Sequence, residues 1–534
     1  MITSRRSAMK AGLTIGAAAA LPRFAIAQSD TRPTIRIAVQ QISTTNTLEP
    51  LREQSNVGYR IAPSYLECLI EKDLQRELQE IPGLATKWSR IDDRTIEFTL
   101  RQGVKFHNGD ELTAEDVAFS FGKERMFGSG APPSAGNTKD VPAEAVAVSQ
   151  RFWGDFEKIE VLGKHRLRFV VKAPDVTLEA RIGRSGSEII SRRGFSEAKT
   201  WLDWARRPIG TGPYRVVDLR PDVSLTMEAH DDYWGGRPPI KQIRYIVVPE
   251  VSSRINGLFS GEYDFACDIP PDHVEEIVRN KRFDIAGGLV TNHRILCFNK
   301  DHPELKDPRV RRAMCHAIDR QLIVDSIWGG RTRVPKGLQW EFYGQMYLPD
   351  WNVPTYDKAV ARRLLKEAGY KGGAIPYRVL NNYYPNQVAT AQAMVEMWRE
   401  VGLNVEIVMK ENFAQVHERT PVRGVRDWSN SALYNDPVSS LVNQHGPRGA
   451  QQMNAEWSNA EFNTLCTELE TSTDRARRKA VFRRMLEIVE REDPGYTVLH
   501  QTAIFTAKRA DIGWKASPSF AMDFRASNFK AARA

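Results

Sequence analysis

The chain has 534 residues, too many for a single hydrophobic core, so two or more lobes are expected. Its 41% hydrophobic and 26% charged residues are those of a globular protein, and no apolar run approaches the ~20 residues of a membrane-spanning helix. The net charge of +9 falls to +5 when Arg5, Arg6, Lys10 and Arg23 are set aside, leaving 71 basic against 66 acidic residues without a basic block interleaved with aromatics, so nucleic-acid binding has no support.

In chain order, Ser4 to Lys10 resembles a twin-arginine export motif, Ala11 to Leu21 is apolar, and Ala25-Ile26-Ala27 has the small-x-small pattern of a cleavage site. The expected cut lies before Gln28, with no cysteine behind it to carry a lipid. Thr34 to Val39 alternates as a strand, a polar loop runs from Gln40 to Thr47, and Tyr65 to Leu69 is read as a short helix. Thr95 to Arg101 alternates with Ile96, Phe98 and Leu100 on one face, and Gly103 to Phe106 is read as a second strand. Asn108-Gly109 supplies a tight turn. Thr113 and Asp116 then form a capping box, with Leu112 and Val117 spaced as a hydrophobic staple.

Residues 126–150, rich in Gly, Pro, Ser and Ala, are read as a loop insertion. Strand pairs follow at Val161 to Val171 and at Arg215 to Leu219 with Ser224 to Glu228, and a helix begins the stretch from Pro174 to Ile190. Arg244 to Val248 reads as a strand, Ser252 to Ser260 as a helix and Ile295 to Asn299 as an apolar strand. Asp307-Pro308 opens a helix with Asp as its cap, Asp357 caps another that ends at Gly369, and Thr390 to Val401 is helical. Asn404 to Val408 and Tyr496 to Leu499 are strands, with an amphipathic helix at Ala480 to Glu490. Helix and strand alternate throughout, so the class is α/β. Cys68, Cys267, Cys297, Cys315 and Cys466 form no C-x-x-C and are read as buried apolar residues.

Three segments carry a family resemblance. The first is Pro82, Leu84, Ala85 and Trp88, followed by Asp92-Asp93, Thr95, Phe98, the run Leu100 to His107, Gly109 and Leu112 to Val117. The second is Gly210-Thr211-Gly212-Pro213-Tyr214 with Asp232-Tyr233-Trp234-Gly235-Gly236. The third is the helix from Val310 to Val324. Together they resemble the large periplasmic solute-binding proteins of ABC importers for peptides, nickel and opines, over roughly residues 34 to 516. The resemblance implies a two-lobed periplasmic binding protein fold of the large, three-subdomain type, with a hinge and a ligand cleft between the lobes. It implies residues 28–294 plus 501–534 as lobe 1, with an insert at about 81–206, residues 295–500 as lobe 2, and residues 1–27 as signal peptide. It further implies a periplasmic monomer that takes a peptide-like or opine-like solute, without a cofactor, and docks on ABC permease subunits.

No G-x-S-x-G, H-E-x-x-H or phosphate-binding loop occurs and no histidine pair has metal spacing, so an enzyme is not expected. A secreted hydrolase and a solute sensor without a permease are the alternative readings. Two candidate cleft loops follow from the resemblance: Thr44, Thr45 and Asn46 after the first strand, and Trp428 to Asp436 before Pro437. In the second, Trp428, Asn430, Ser431, Leu433, Tyr434 and Asp436 are candidates, and Arg426, with Arg419 and Arg423, is expected to face an anionic ligand. Peptide-binding members resembling this chain hold the ligand's ammonium on an aspartate four residues before the proline. Here Leu433 stands there, with Asp436 as a substitute anchor.

Overall fold

The computed structural model describes residues 30–128, 141–381, 383–420 and 422–529, so the export segment and its cut lie outside the described residues. The strands are β1 (Thr34–Val39), β2 (Ile70–Asp73), β3 (Gln79–Pro82), β4 (Ala85–Asp92), β5 (Thr95–Leu100), β6 (Phe156–Gly163), β7 (Arg166–Val171) and β8 (Tyr214–Arg220). They continue as β9 (Ser224–Ala229), β10 (Gln242–Val247), β11 (Phe265–Ala266), β12 (Phe283–Phe298), β13 (Ile375–Leu380), β14 (Val405–Lys410), β15 (Val425–Ser431) and β16 (Tyr496–Arg509). A ten-stranded sheet has the order β14-β13-β15-β12-β16-β11-β1-β10-β9-β8. β1 runs parallel to β10 and β11, and β13 parallel to β14 and β15, while β12 pairs antiparallel with β15 and β16.

β12 and β16 are much longer than the apolar tetrads that mark them in the sequence. Their pairing begins at Phe283–Arg509 and ends at Cys297–Tyr496, broken by irregularities around Val290 to Arg294. Leu296 and Phe298 enter one core while Ile295 and Cys297 enter another on the opposite face. A strand covered on both sides reads as an unbroken apolar run, which is why Ile295 to Phe298 shows no alternation.

The motif-rich segment folds as its local chemistry dictates. Ile96 and Phe98 are fully buried in the antiparallel sheet β4-β5-β7-β6, and Phe98 meets Phe169 edge-on at 5.4 Å. Gly109 turns the chain with φ of 86°. The backbone N–H and hydroxyl of Thr113 both reach Asp116 Oδ2, at 3.1 and 2.8 Å, at the start of the helix Ala114–Ser120. Gly103 to Phe106 is not a strand; its pairing is limited to a bridge between Lys105 and Glu111 across that turn.

The helix expected at Tyr65 to Leu69 lies upstream, at Asn56–Ile61, where Ser55 caps it through Gly58 N–H. Beyond it Glu67 is extended and bridges to Ile189. The reason is a shared carboxylate. Tyr233 Oη, Trp234 Nε1 and Thr211 Oγ1 all donate to Glu67, at 2.7, 2.9 and 2.7 Å. Within the supposed loop of residues 126–150, a helix occupies Ala143–Trp153. Its Ala-rich sequence favours helix, and burial of Ala145, Phe152 and Trp153 fixes it. After the helix Val251–Ser260 comes a strand of only two residues, Phe265–Ala266. All five cysteines are buried free thiols.

Candidate functional site

A cavity of about 300 Å³ opens where three stretches distant in sequence meet: residues 44–59, residues 151–185 and residues 383–450. Short elements position its wall. Glu53, 4% exposed, gathers the loop after β1 around one carboxylate. Its Oε2 accepts from Thr44 N, Thr45 N and Thr45 Oγ1 at 2.8, 3.0 and 2.9 Å, and also from Ser43 Oγ. Its Oε1 accepts from Thr44 Oγ1 and Ser55 N at 3.1 and 3.2 Å, and from Ser55 Oγ. With every lone pair engaged, Glu53 shapes the wall and holds no spare acceptor for a ligand.

The second stretch brings Arg151, Phe152 and Arg184, and the third brings an aromatic surface of Tyr383, Tyr384, Phe413 and Trp428. Asn56 ties the first stretch to the third, its N–H donating to Tyr383 Oη and its Nδ2 to Ser429 Oγ, both at 3.2 Å. Val57 packs into one apolar cluster with Leu380, Tyr383, Tyr384 and Val416. Burial drives the Tyr383 hydroxyl well above its ordinary range and raises that of Tyr384. Burial, reinforced by Arg426, Arg378 and Arg423, pushes His417 down to about 2, so it borders the cavity as a neutral ring.

Of the residues singled out from the sequence, Thr44, Trp428, Ser431 and Leu433 line this cavity. Thr45 stands behind it on Glu53, and Asn46 is exposed. The stretch from Trp428 to Ser431 is strand β15 rather than loop, because it pairs with Asn292 to Ile295 of β12. Alternation then divides it: Asn430 is fully buried, its Nδ2 donating to Ser440 O at 2.8 Å. Tyr434 is also fully buried and accepts from Asn443 Nδ2 at 3.1 Å.

Asp436 is not a substitute anchor, because Arg478 grips it through two bonds of 2.9 Å. Arg426 does not face the cavity's interior. It forms a bidentate pair with Glu456 at 2.6 Å, both side chains 1% exposed, and stacks 3.9 Å from the Trp428 ring. Arg419 and Arg423 are spent on the carbonyls of Met453, Asn454 and Ala455. Sequence reasoning missed Asn56, Tyr383, Tyr384, Arg151 and Arg184. The adjacent tyrosines after an apolar strand were a usable signal; the two arginines offered none.

Among the described residues lining the cavity, Glu53 is the one carboxylate, against Arg52, Lys72, Arg151 and Arg184. Lys72 is neutralised by Glu80 at 3.4 Å. No group of three or more His, Cys, Asp or Glu side chains among the described residues could hold a metal ion. The arrangement is a partly open cavity with an aromatic wall and an excess of cationic side chains.

The profile of bacterial extracellular solute-binding proteins, family 5 Middle, matches residues 79–452. The chain is 28% identical to di/tripeptide-binding protein 2 of Pseudomonas aeruginosa over 83% of this chain and 85% of that protein. Its fold matches a dipeptide-binding protein of a Pseudoalteromonas species, solved with Met-Leu, at a TM-score of 0.81 and 23% identity, over 92% of this chain and 98% of the other. It also matches the binding protein AgaA of A. tumefaciens, solved with agropinic acid, at 0.76 and 19% identity, over 91% and 96% of the two chains. The chain therefore belongs to the bacterial extracellular solute-binding proteins of family 5, the periplasmic solute-capturing components of ABC importers.

Proposed function

We propose that this protein captures a small solute that has no free ammonium group, an opine whose nitrogen is acylated or another N-acylated peptide-like acid, and delivers it to the permease of an ABC importer. The observation that carries this is Leu433, which lines the cavity four residues before Pro437. An ammonium placed against it would lose its ionic partner and keep its desolvation cost, about 3–5 kcal/mol for a broken buried pair. That is roughly two to four decades of affinity. Neither Asp436, held by Arg478, nor Glu53, saturated by donors, offers a replacement. A relative that binds di- and tripeptides and a neighbour that binds agropinic acid bracket the choice, and Leu433 favours the second.

Calorimetry tests this with agropinic acid, Met-Leu and N-acetyl-Met-Leu. The amine-blocked probes should bind more tightly than Met-Leu, and Leu433→Asp should reverse that order. Sub-micromolar binding of Met-Leu that N-acetylation abolishes would refute the reading.

The same proposal includes a mechanism. Lobe 1 (28–294 with 501–534, carrying the insert at about 81–206) and lobe 2 (295–500) close over the solute, driven by its greater affinity for the closed state. In support, the cavity takes its walls from both sides of that division, and β12 and β16 are the long strands that run across it. Small-angle scattering should give a smaller radius of gyration with bound solute. The export segment at 1–27 directs the chain to the periplasm through the twin-arginine route, which lysine replacement of Arg5 and Arg6 should block.

A further inference from the structure

One leucine from the early part of the chain sits in a core built by the later part. A hydrophobic cluster formed between Ile295 and Val498 takes three side chains from outside that range: Leu78, buried within it, and Leu74 and Ala180, packed against it. Ala180 belongs to the short helix Leu178–Ile182, while Leu74 and Leu78 bound the turn between β2 and β3. That turn is five residues long, because Asp73 pairs with Gln79 across the hairpin. Gln75, Arg76 and Glu77 are exposed, whereas Leu78 is 5% exposed. The turn is a polar tip that carries one apolar plug.

The backbone beneath the plug is strained. Glu77 and Leu78 have φ of 54° and 60°, two consecutive left-handed residues, neither of them glycine. In that region a Cβ crowds the neighbouring carbonyl, and glycine or asparagine is the usual occupant. A bulky side chain keeps such a conformation only where its surroundings compensate. The hairpin supplies little, since β2 and β3 form a two-stranded sheet that joins neither of the larger sheets, and such a pair is marginal alone. What compensates is the seat of Leu78 among the side chains that follow Ile295. Leu78 also lines the cavity, together with Ala432 of the same cluster and Leu433 packed against it. The plug therefore closes the cavity at the end where Leu433 stands.

We propose that Leu78, at the end of the β2–β3 turn, is a latch that selects the captured solute by length. The proposal rests on the reading that the two lobes close over the solute. On closure Leu78 of lobe 1 enters its seat in lobe 2, and burial of the leucine offsets the strain of the turn. A solute that extends past Leu433 occupies that seat, keeps the plug out and forfeits part of the closed state's advantage. Since a ligand shifts the lobes only by its greater affinity for the closed form, a long solute is then held weakly. The substrate class is a short solute, small enough for a cavity of about 300 Å³ with one end shut.

Calorimetry tests this with two pairs of probes, N-acetyl-Met-Leu against N-acetyl-Ala-Ala-Met-Leu and Met-Leu against Ala-Ala-Met-Leu, on wild type, Leu78→Gly and Glu77→Gly. Wild type should prefer the shorter member of whichever pair binds by about 10-fold or more. Leu78→Gly, whose glycine accepts the left-handed backbone, should cut that preference to about threefold or less, losing on the short probe and gaining on the long one. Glu77→Gly relaxes the neighbouring residue and keeps the plug, so it should retain the wild-type preference. The unliganded melting temperature of Leu78→Gly should stay within about 1 °C of wild type, because the open protein leaves the leucine unseated. A leucine held permanently in the core would cost about 2 °C or more. No preference by length in wild type, an unchanged preference in Leu78→Gly, an equal loss of preference in Glu77→Gly, a drop of that size in melting temperature, or no binding of any probe would overturn the latch. Wild type that does not contract in small-angle scattering with the short probe bound, while Leu78→Gly still removes the preference, would overturn the closure reading and make Leu78 a fixed wall. Contraction with a preference that ignores Leu78 would overturn the latch and leave closure standing.

Discussion

Replacing Glu53 by glutamine tests the claim that one carboxylate organises the cavity wall. The substitution keeps size and removes charge. If the amide nitrogen takes the place of Oε2, the backbone N–H groups of Thr44 and Thr45 face a donor; if it takes the place of Oε1, the N–H of Ser55 does. The hydroxyls of Ser43, Thr44, Thr45 and Ser55 can rotate to accept, but the backbone cannot. The better orientation therefore leaves one orphaned N–H, about 1–3 kcal/mol, and weakens the remaining bonds, which lose the strength that ionic charge lends them. The expected loss is about 3 kcal/mol. With an unfolding entropy of ~2 cal/mol/K per residue, a cooperative unit of ~500 residues should melt ~3 °C lower. Differential scanning calorimetry of the variant measures this, with Glu341→Gln, whose side chain is 66% exposed, as the neutral control. A Glu53→Gln protein that melts within 0.5 °C of wild type would refute the reasoning.

Acid should destabilise the protein from pH 6.5 downward. Burial holds His107, His293, His445 and His500 at about 3, so the unfolded chain binds more protons than the native one below pH 6.5 and stability falls with pH. Glu67 and Glu188, raised to about 7 by burial, and Glu71, Glu470 and Glu490, also raised by burial, act in the opposite sense, but His230, His302, His316 and His417 are lowered by burial too, so these five groups oppose eight. His293→Phe keeps the 3.9 Å stack on Trp340 and should lower the slope below pH 6 by about 1.4 kcal/mol per pH unit in denaturant titrations. Glu456→Gln should cost about 3–5 kcal/mol by stranding the Arg426 charge, and Arg426→Met with Glu456→Met should recover most of it in the same titrations. An equal loss in single and double variants would show that packing, not charge, holds that pair.

The framework was legible because local chemistry decides it. Capping boxes, Asp caps and the Asn108-Gly109 turn fell where residue types required them. The G-T-G motif has a packing reason: a side chain at Gly210 would sit 2.2 Å from the Tyr65 carbonyl oxygen. His107 Nε2–H donates to the Gly212 carbonyl, 2.9 Å away, so the first two motif segments, far apart in sequence, meet at one joint. The site was only partly legible, because pairing across the sheet decides which side chains face the cavity. Trp428 and Ser431 reach it, while Asn430 between them turns inward. Arg426 looked free because Glu456, its neutraliser, lies thirty residues on. Arg151 and Arg184 sit in stretches without periodicity, and their place on the cavity wall shows only in three dimensions.

The place of β16 in the ten-stranded sheet has a consequence for biogenesis. It lies between β11 and β12, pairing Phe265 with Lys508 and Leu296 with Thr497. The strand that completes the middle of the sheet is thus synthesised after both of the strands it joins. During translation the edges can assemble, but the sheet stays split, with the flanks of β11 and β12 unpaired, until β16 leaves the ribosome. Contacts this remote in sequence close slowly, and unpaired strand edges invite aggregation. The nascent protein therefore carries two unpaired strand edges until β16 is made, and loss of β16 would split the sheet rather than trim it.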